Sequence, residues 1–504
     1  MKNRTGNTIL ISYLSIVFSI VSGLVYTPWL IRTLGSSDYA IYTISTSIMA
    51  YFTIDFGIGA AVTRFIARYR AEGCENRING LLGVTLKLYL LIDIVAFIAL
   101  LILSFFLSDI YAGLNPQEID KLKIVYVITC IMITTCIPAM PLNGVFVAYN
   151  RVYEVKVFDL AQKFFNIMLV CFALLLGEGL FVVTAINAFT TIGVNLIKVV
   201  RIFSKERVFP DIRETDKQLK KALLAFSSWV AIAMLADKFF FTIEPTLLGA
   251  FSDSKQIALF AVATSIEGYV LIFADGLNGI FLPKVTSLVV ENRFDNVMSL
   301  MIKVGRMQLY IVSFLILGII TQGRDFLIIW FGKEYEAAYF VVILVLIPCW
   351  IHLTEGIATE ALYATNNVKY RTLAYIISAI VNVTMTSLLS PKYGALGAAI
   401  GISLGFIIGY EIIMNLVYYK VLKLDIIRFF KSCHMQMVAT TVICGGIGIT
   451  ISSFFPVSRL SLLLIRCILW ALLYFIVSWR LFLSTSEKEM LKDFVFKKIR
   501  RNSI

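Results

Sequence analysis

Charged side chains set inside long apolar runs are the residues of this chain best placed to do chemistry. An ionisable group at the centre of a bilayer costs about 2.5 to 3.5 kcal/mol on insertion scales, so each one is a candidate for function. Asp55 is followed nine positions on by Arg64, with Gly57 and Gly59 between them. Asp275 and Lys284 repeat that spacing, with Gly276 and Gly279 between. Nine residues of an ideal helix turn through about 900°, half a turn net, so acid and base point to opposite sides and form no simple ion pair. Arg64 and Lys284 fall near span ends, where they act either as interface anchors or as partners for phosphate oxygens. Asp55 and Asp275 lie deeper and are expected to face a cavity, binding hydroxyl groups or titrating. Asp237 and Lys238 are adjacent, and Glu244 follows Asp237 by about two helical turns, on the same face. Glu267 and Arg32 complete the expected lining. Two further pairs read as local contacts: Asp159 with Lys163 at i, i+4, and His352 with Glu355 at i, i+3, the latter either a proton relay or a packed polar pair.

Other chemistries find little support. The eight cysteines are scattered, none forms a CxxC, and there are only two histidines, so a metal centre is not expected. No cofactor is expected either. No constellation of paired carboxylates in a sizeable loop is present, which argues against a hydrolase, polymerase or glycosyltransferase. The chain is not expected to be an enzyme.

The elements that must position these charges are transmembrane helices. Of 504 residues 59% are hydrophobic and 15% charged, too few charges for a soluble surface of this size. The apolar residues fall in continuous runs of roughly 18 to 25, the length a helix needs to cross about 30 Å of hydrocarbon. About 14 such spans are expected, at 8–31, 39–63, 80–107, 124–146, 157–176, 179–200, 223–248, 256–284, 307–330, 339–363, 371–389, 395–418, 435–455 and 461–483. The first continues into Pro28 to Arg32 with no small-residue cleavage site, so it reads as an uncleaved helix rather than a signal peptide. The net charge of +13 is unevenly placed. Roughly two thirds of the Lys and Arg fall in alternate connections, including 64–77, 201–221, 420–431 and the 488–501 tail. This positive-inside bias puts both termini in the cytoplasm, and the basic excess reports topology and contact with anionic lipid headgroups, not nucleic-acid binding. The longest connections, near 201–222 and 285–306, are on the order of 20 residues, too short for a soluble domain.

The chain also carries an internal repeat. Ala40 to Ile48 aligns with Ala258 to Ile266, and Tyr51 and Ile54 with Tyr269 and Ile272. Ala148, Asn150, Val152 and Asn166 align with Ala364, Asn366, Val368 and Asn382, and Pro28 with Pro245. Each repeat would hold six helices starting from the same side, giving parallel halves related by an axis along the membrane normal. The expected organisation is a six-helix lobe at 1–221, a second at 222–431, and two further helices with a basic tail at 432–504. Pro28 and Pro245 are expected to bend their helices. Gly397, Gly401, Gly405 and Gly409 form a stripe that permits close helix packing.

The segment from Pro28 to Tyr42 (PWLIRTLGSSDYAIY), then Asp55 to Gly59 (DFGIG) and Arg64, resembles the opening of polysaccharide transporters. Leu389 to Ala399 (LSPKYGALGAA) is similar to that family's Pro-x-Tyr-Gly-x-x-Gly-Ala-Ala pattern. These are the O-antigen and capsule repeat-unit flippases of the multidrug/oligosaccharidyl-lipid/polysaccharide exporter superfamily. The resemblance implies an all-α membrane protein of two six-helix lobes around a central cavity. It implies a cargo of undecaprenyl-diphosphate-linked oligosaccharide, moved across a bacterial cytoplasmic membrane, with membrane lipids and the polysaccharide polymerase machinery as partners. Two other readings of the same fold stay open: a cation-coupled drug or metabolite antiporter, and a flippase for peptidoglycan precursor. Coupling to a proton or sodium gradient is also open, with Asp55, Glu267 or Asp275 as the carboxylates either ion would use.

Overall fold

The computed structural model describes residues 2–489 except 75, 207, 214–216, 366 and 486, and excludes the side chains at 2–10, 12, 13, 76, 217, 218, 222, 224–230, 273–280 and 282. Asp275, part of the 201–221 connection and most of the basic tail therefore lie outside the described side chains. Every regular element among the described residues is helical. Among the described residues eleven helices are long and apolar enough to cross a membrane, or twelve if Ala338–His352 and Gly356–Ala364, bent by 55°, form one broken span. Large apolar side chains point outward along them, with Phe172, Phe189 and Leu175 more than 60% exposed. Such a surface would drive a soluble protein to aggregate, whereas in lipid it is what the acyl chains contact.

Two of the 14 expected spans are not counted separately among these. Lys2–Phe52 runs as one element through the first expected span and into the second, divided only at Gly35, whose φ of 80° leaves the helical region. The span expected at 223–248 falls in Lys217–Thr242, many of whose side chains are outside those described, and in Glu244–Phe251 beyond a break. Connections are also shorter than expected. Ser254–Val290 and Phe294–Trp330 leave three residues between them, because both helices continue past the apolar stretch.

The chain divides into two compact units, Met1–Val262 with Lys369–Gly405, and Ala263–Val368 with Phe406–Ile504. In the first unit, Asn115 and Glu118 cap the Pro116–Cys136 helix reciprocally, each side chain accepting the other's backbone N–H. The SSD run after Gly35 is tied to that helix: Ser37 donates to Glu118 at 2.6 Å, and Lys121 donates to Asp38 at 2.5 Å. The glycine stripe lets the Ala395–Gly405 helix lie against Val368–Tyr393. A Cβ on Gly401 would sit 2.2 Å from Thr386 Oγ1, and one on Gly397 2.5 Å from the Leu389 carbonyl carbon. In the second unit two buried arginines act as internal fasteners. Arg466 reaches Gln322 at 2.5 Å, Asp325 at 2.6 Å and the Phe455 carbonyl at 3.0 Å. Arg306 holds Glu487 at 2.7 and 2.8 Å, and the carbonyls of Ser432 and Phe482.

Candidate functional site

Two interrupted helices of the first unit meet, and their loose backbone groups are taken up by polar side chains. The first interruption is at 53–57. The span expected at 39–63 is not one helix: Lys2–Phe52 ends, Phe56 and Gly57 turn left-handed at φ 51° and 72°, and Ile58–Ala71 begins. The straight-helix geometry expected for Asp55 and Arg64 therefore does not apply. Asp55 instead sits in the gap, its carboxylate accepting the Gly59 N–H at 3.0 and 3.2 Å in the first turn of the next helix. The Tyr89 hydroxyl donates to the same carboxylate at 2.5 Å and lies 3.0 Å from the Asp55 carbonyl. A carboxylate at a helix N-terminus meets unpaired N–H groups and the positive end of the helix dipole, which is why the break can hold an acid.

The second interruption is at Ile243. Pro245 has no N–H to give, and the Thr246 N–H bonds to the Ile243 carbonyl instead of reaching back to Thr242. The Thr242 carbonyl is thereby released, and the Tyr51 hydroxyl donates to it at 2.5 Å and lies 3.2 Å from Thr246 Oγ1. The Tyr51 ring stacks on Phe239 with centroids 5.7 Å apart. Asn382, from Val368–Tyr393, donates to the Phe240 carbonyl at 2.9 Å and to Glu244 Oε1 at 2.6 Å. Glu244 is fully buried, and its Oε2 has no hydrogen-bond partner. The expected i, i+7 alignment of Asp237 with Glu244 along one helix is broken by this interruption. Of the expected prolines, Pro245 marks a true break, while Pro28 lies within continuous helix and Gly35 makes the nearby break.

The other expected residues are dispersed. Asp237 and Lys238 are half-buried in Lys217–Thr242, and Arg32 and Arg64 are exposed. In the second unit Glu267 is 3% exposed with Cys349 Sγ at 4.0 Å, and Lys284 is exposed. Asp159 and Lys163 take other partners than each other. Asp159 accepts from Lys198 at 3.1 Å, while Lys163 donates to Ser19 at 2.8 Å. His352 packs its ring on Tyr410 and Phe406, and Glu355 accepts from Asn415 at 2.7 Å. Tyr89, Asn382 and Asn415 were not read as site residues. The repeat carried a signal for one of them, since Asn382 aligns with Asn166, which likewise donates to polar side chains, Asn187 at 3.2 Å and Thr190 at 3.0 Å.

The first unit also holds an apolar cavity of about 230 Å³, walled by Leu82, Pro138, Leu142, Leu196, Phe203 and Pro210. It is separate from the polar junction. No group of three or more His, Cys, Asp or Glu among the described residues is arranged to hold a metal ion.

A family model described as "Polysaccharide biosynthesis protein" matches residues 6–283. The chain is 20% identical over 200 residues to a protein named a probable low-salt glycan biosynthesis flippase of Haloferax volcanii, an alignment of 40% of this chain and 42% of that one. It is 21% identical to a protein named a putative O-antigen transporter of Shigella flexneri, over 75% of this chain and 90% of the other. The chain thus spans less than half of the first relative and nine tenths of the second. Among solved structures it is similar to a lipid II flippase in an inward closed conformation, with a TM-score of 0.74 and 15% identity, over 93% of this chain and 98% of that one. At that identity the likeness shows a shared fold.

Proposed function

The chain belongs to the polysaccharide biosynthesis protein family, and on that premise we propose that it is a flippase for undecaprenyl-diphosphate-linked oligosaccharide repeat units. It would act in a bacterial cytoplasmic membrane, with both termini inside, to supply surface polysaccharide synthesis. The observation that carries the reading is the polar junction where two helices break within a membrane-spanning unit. Irregular backbone at membrane depth is tolerated where it is buried in protein or lines a route for polar cargo, and broken helices are a recurrent way to build such routes. Sugars and phosphates need a polar path because each unpaired polar group costs several kcal/mol in hydrocarbon. The polyprenyl tail has no such need and stays in lipid. The lobes at 1–221 and 222–431 are proposed to alternate access by rocking, with Arg32, Arg64, Lys238 and Lys284 as partners for the diphosphate and Asp55, Asp237, Glu244, Glu267 and Asp275 for hydroxyls or a coupling ion. Membrane lipids and the polysaccharide polymerase machinery are the proposed partners.

Buried Glu244, with one oxygen unsatisfied, favours a second reading, a cation-coupled antiporter of drugs or metabolites. The two readings part on the bases. A flippase for an anionic lipid needs them, whereas an antiporter run on carboxylates does not. Lys238→Glu and Arg32→Glu, expressed in a strain deleted for the native protein, are expected to abolish surface polysaccharide on immunoblots while membrane protein levels hold. Normal polysaccharide in both variants removes these bases from the mechanism. Failure of the unaltered chain to restore polysaccharide overturns the flippase reading itself.

A further inference from the structure

Glu355 lies within the bent pair of the second unit, between Cys349–His352 and Gly356–Ala364, and is 1% exposed. Its Oε1 accepts from Asn415 Nδ2 at 2.7 Å, and its Oε2 has no hydrogen-bond partner among the described residues. The same Asn415 amide donates at 2.8 Å to the backbone carbonyl of Glu411, so it bridges the two glutamates. Glu411 belongs to an eight-residue π-helical segment, Phe406–Ile413, and its Oε1 is also buried without a partner, as is Asn415 Oδ1. Three buried oxygens without a partner among the described residues thus lie on three side chains, two of them from irregular helix segments. Among the described residues neither glutamate has an ion-pair partner.

The titratable groups on the surrounding elements are otherwise engaged. His352 packs on Tyr410 and Phe406. His434 Nε2 lies 3.1 Å from Thr354 Oγ1, and the Tyr418 hydroxyl lies 2.8 Å from Thr359 Oγ1. Cys433 is buried, and Arg306 is held by Glu487, Ser432 and Phe482. Two carboxylates left unpaired in a low-dielectric interior are unstable unless one positive charge is shared between them. Segments of π-helix recur at functional sites because their looser hydrogen bonding lets a side chain be re-aimed.

We propose that Glu355, with Glu411 and Asn415, is a proton-binding site of the second unit, loaded and emptied during the transport cycle. The proton enters on Glu355 Oε2, cancels one negative charge, and leaves to water when the segment around Glu411 moves. A proton suits the geometry, since the Asn415 amide donates to Glu355 Oε1 and leaves Oε2 as the open acceptor. Binding stands on this geometry alone, and its coupling to cargo rests on the flippase reading.

The test is labelling of the full-length protein in liposomes by a hydrophobic carbodiimide, which reacts with protonated buried carboxyl groups, mapped by mass spectrometry across pH. Glu355 is expected to be labelled in a pH-dependent manner, unaffected by 100 mM sodium. Glu411→Gln is expected to move the pH of half-labelling by about half a unit or more, because two interacting acids titrate as a pair. Absent or pH-independent labelling overturns the site, as does protection by sodium or an unchanged midpoint in Glu411→Gln. Glu355→Asp keeps an acid in place and guards against misfolding of Glu355→Gln. Both should elute as intact protein in size-exclusion chromatography, and only Glu355→Gln should lose surface polysaccharide. Full polysaccharide from Glu355→Gln overturns the coupling. Loss of function by the unaltered chain, with labelling intact, overturns only the flippase reading.

Discussion

At the scale of single residues, the apolar runs made the acids visible and hid their partners. Asp55, Glu244 and Glu355 stand out in the sequence because a carboxylate in a hydrophobic span is costly. Tyr89, Asn382 and Asn415 do not, since neutral polar residues are common in spans and their partners lie tens to more than a hundred positions away. Asp159 shows the converse error: local spacing offered Lys163, and the fold supplied Lys198. The Asn382 contact carries a testable weight. Asn382→Leu strips a donor from both the Phe240 carbonyl and the buried Glu244, and is expected to cost about 1 to 3 kcal/mol, seen as a lower thermal midpoint in detergent. Glu244→Gln retains a carbonyl oxygen toward Asn382 and is expected to cost less. A second expectation concerns Glu487, beyond the last span. Hydrogen bonds and charge from Arg306, together with bonds from Ser484, outweigh the opposing effect of burial and hold its carboxyl down at about 2. A depressed carboxyl stabilises the native contact fully above its ordinary value near 4.5 and loses that contribution as pH falls toward the native one. Protease sensitivity of the segment after Phe482 should therefore be low and flat above pH 5 and rise below about 4. Glu487→Gln should be sensitive at every pH, and a flat profile in the unaltered protein would show that the pair does not hold the segment.

At the scale of helices, the glycines of the family motifs turned out to have plain backbone reasons. Gly35 and Gly394, one in each motif, have φ of 80° and 54°, conformations that cost other residues about 1 kcal/mol or more. Both were legible as motif positions, yet neither was read as a break. The interruption at 53–57 was hidden for a different reason: Phe56 itself adopts a left-handed conformation, which nothing in residue type announces. The stripe along Ala395–Gly405 was legible, because only glycine lets two backbones approach this closely. Gly401→Val is accordingly expected to force the helices apart, at a cost of about 3 kcal/mol or more, with little monodisperse protein recovered. Gly193 is the control, for among the described residues no atom beyond its own stretch of helix backbone lies within 4 Å of where its Cβ would be. Gly193→Ala should leave the thermal midpoint unchanged or slightly raised, as expected for a helix-interior glycine. Equal losses in both variants would mean that general helix propensity, and not close approach, governs the stripe.

At the scale of the whole molecule, hydrophobic run length and charge placement made the class legible, because the bilayer imposes both. Span boundaries were less legible, since helices fuse through Gly35, split at Ile243 and run on past the apolar stretch. Orientation follows from charge alone. Arg64, Arg68, Arg70 and Arg77 cluster after the second expected span, and the cytoplasmic face is where such clusters are retained. Counting from an inner N-terminus, the turns at Glu178 and Glu334 fall outside and those at Glu72 and Asn292 inside. Alkaline phosphatase, active only outside the cytoplasm, tests this when inserted at each of the four turns of the full-length chain. Activity is expected at Glu178 and Glu334 and is expected to be lower by about tenfold or more at Glu72 and Asn292. Adding three lysines at Glu178 should weaken that contrast, because a charge rule predicts competition between inner and outer loops. The inverse pattern would reverse the chain in the membrane. Arg306, the Glu355 pair and the segment holding Glu487 would then belong to the outer side, and the termini would lie outside the cytoplasm.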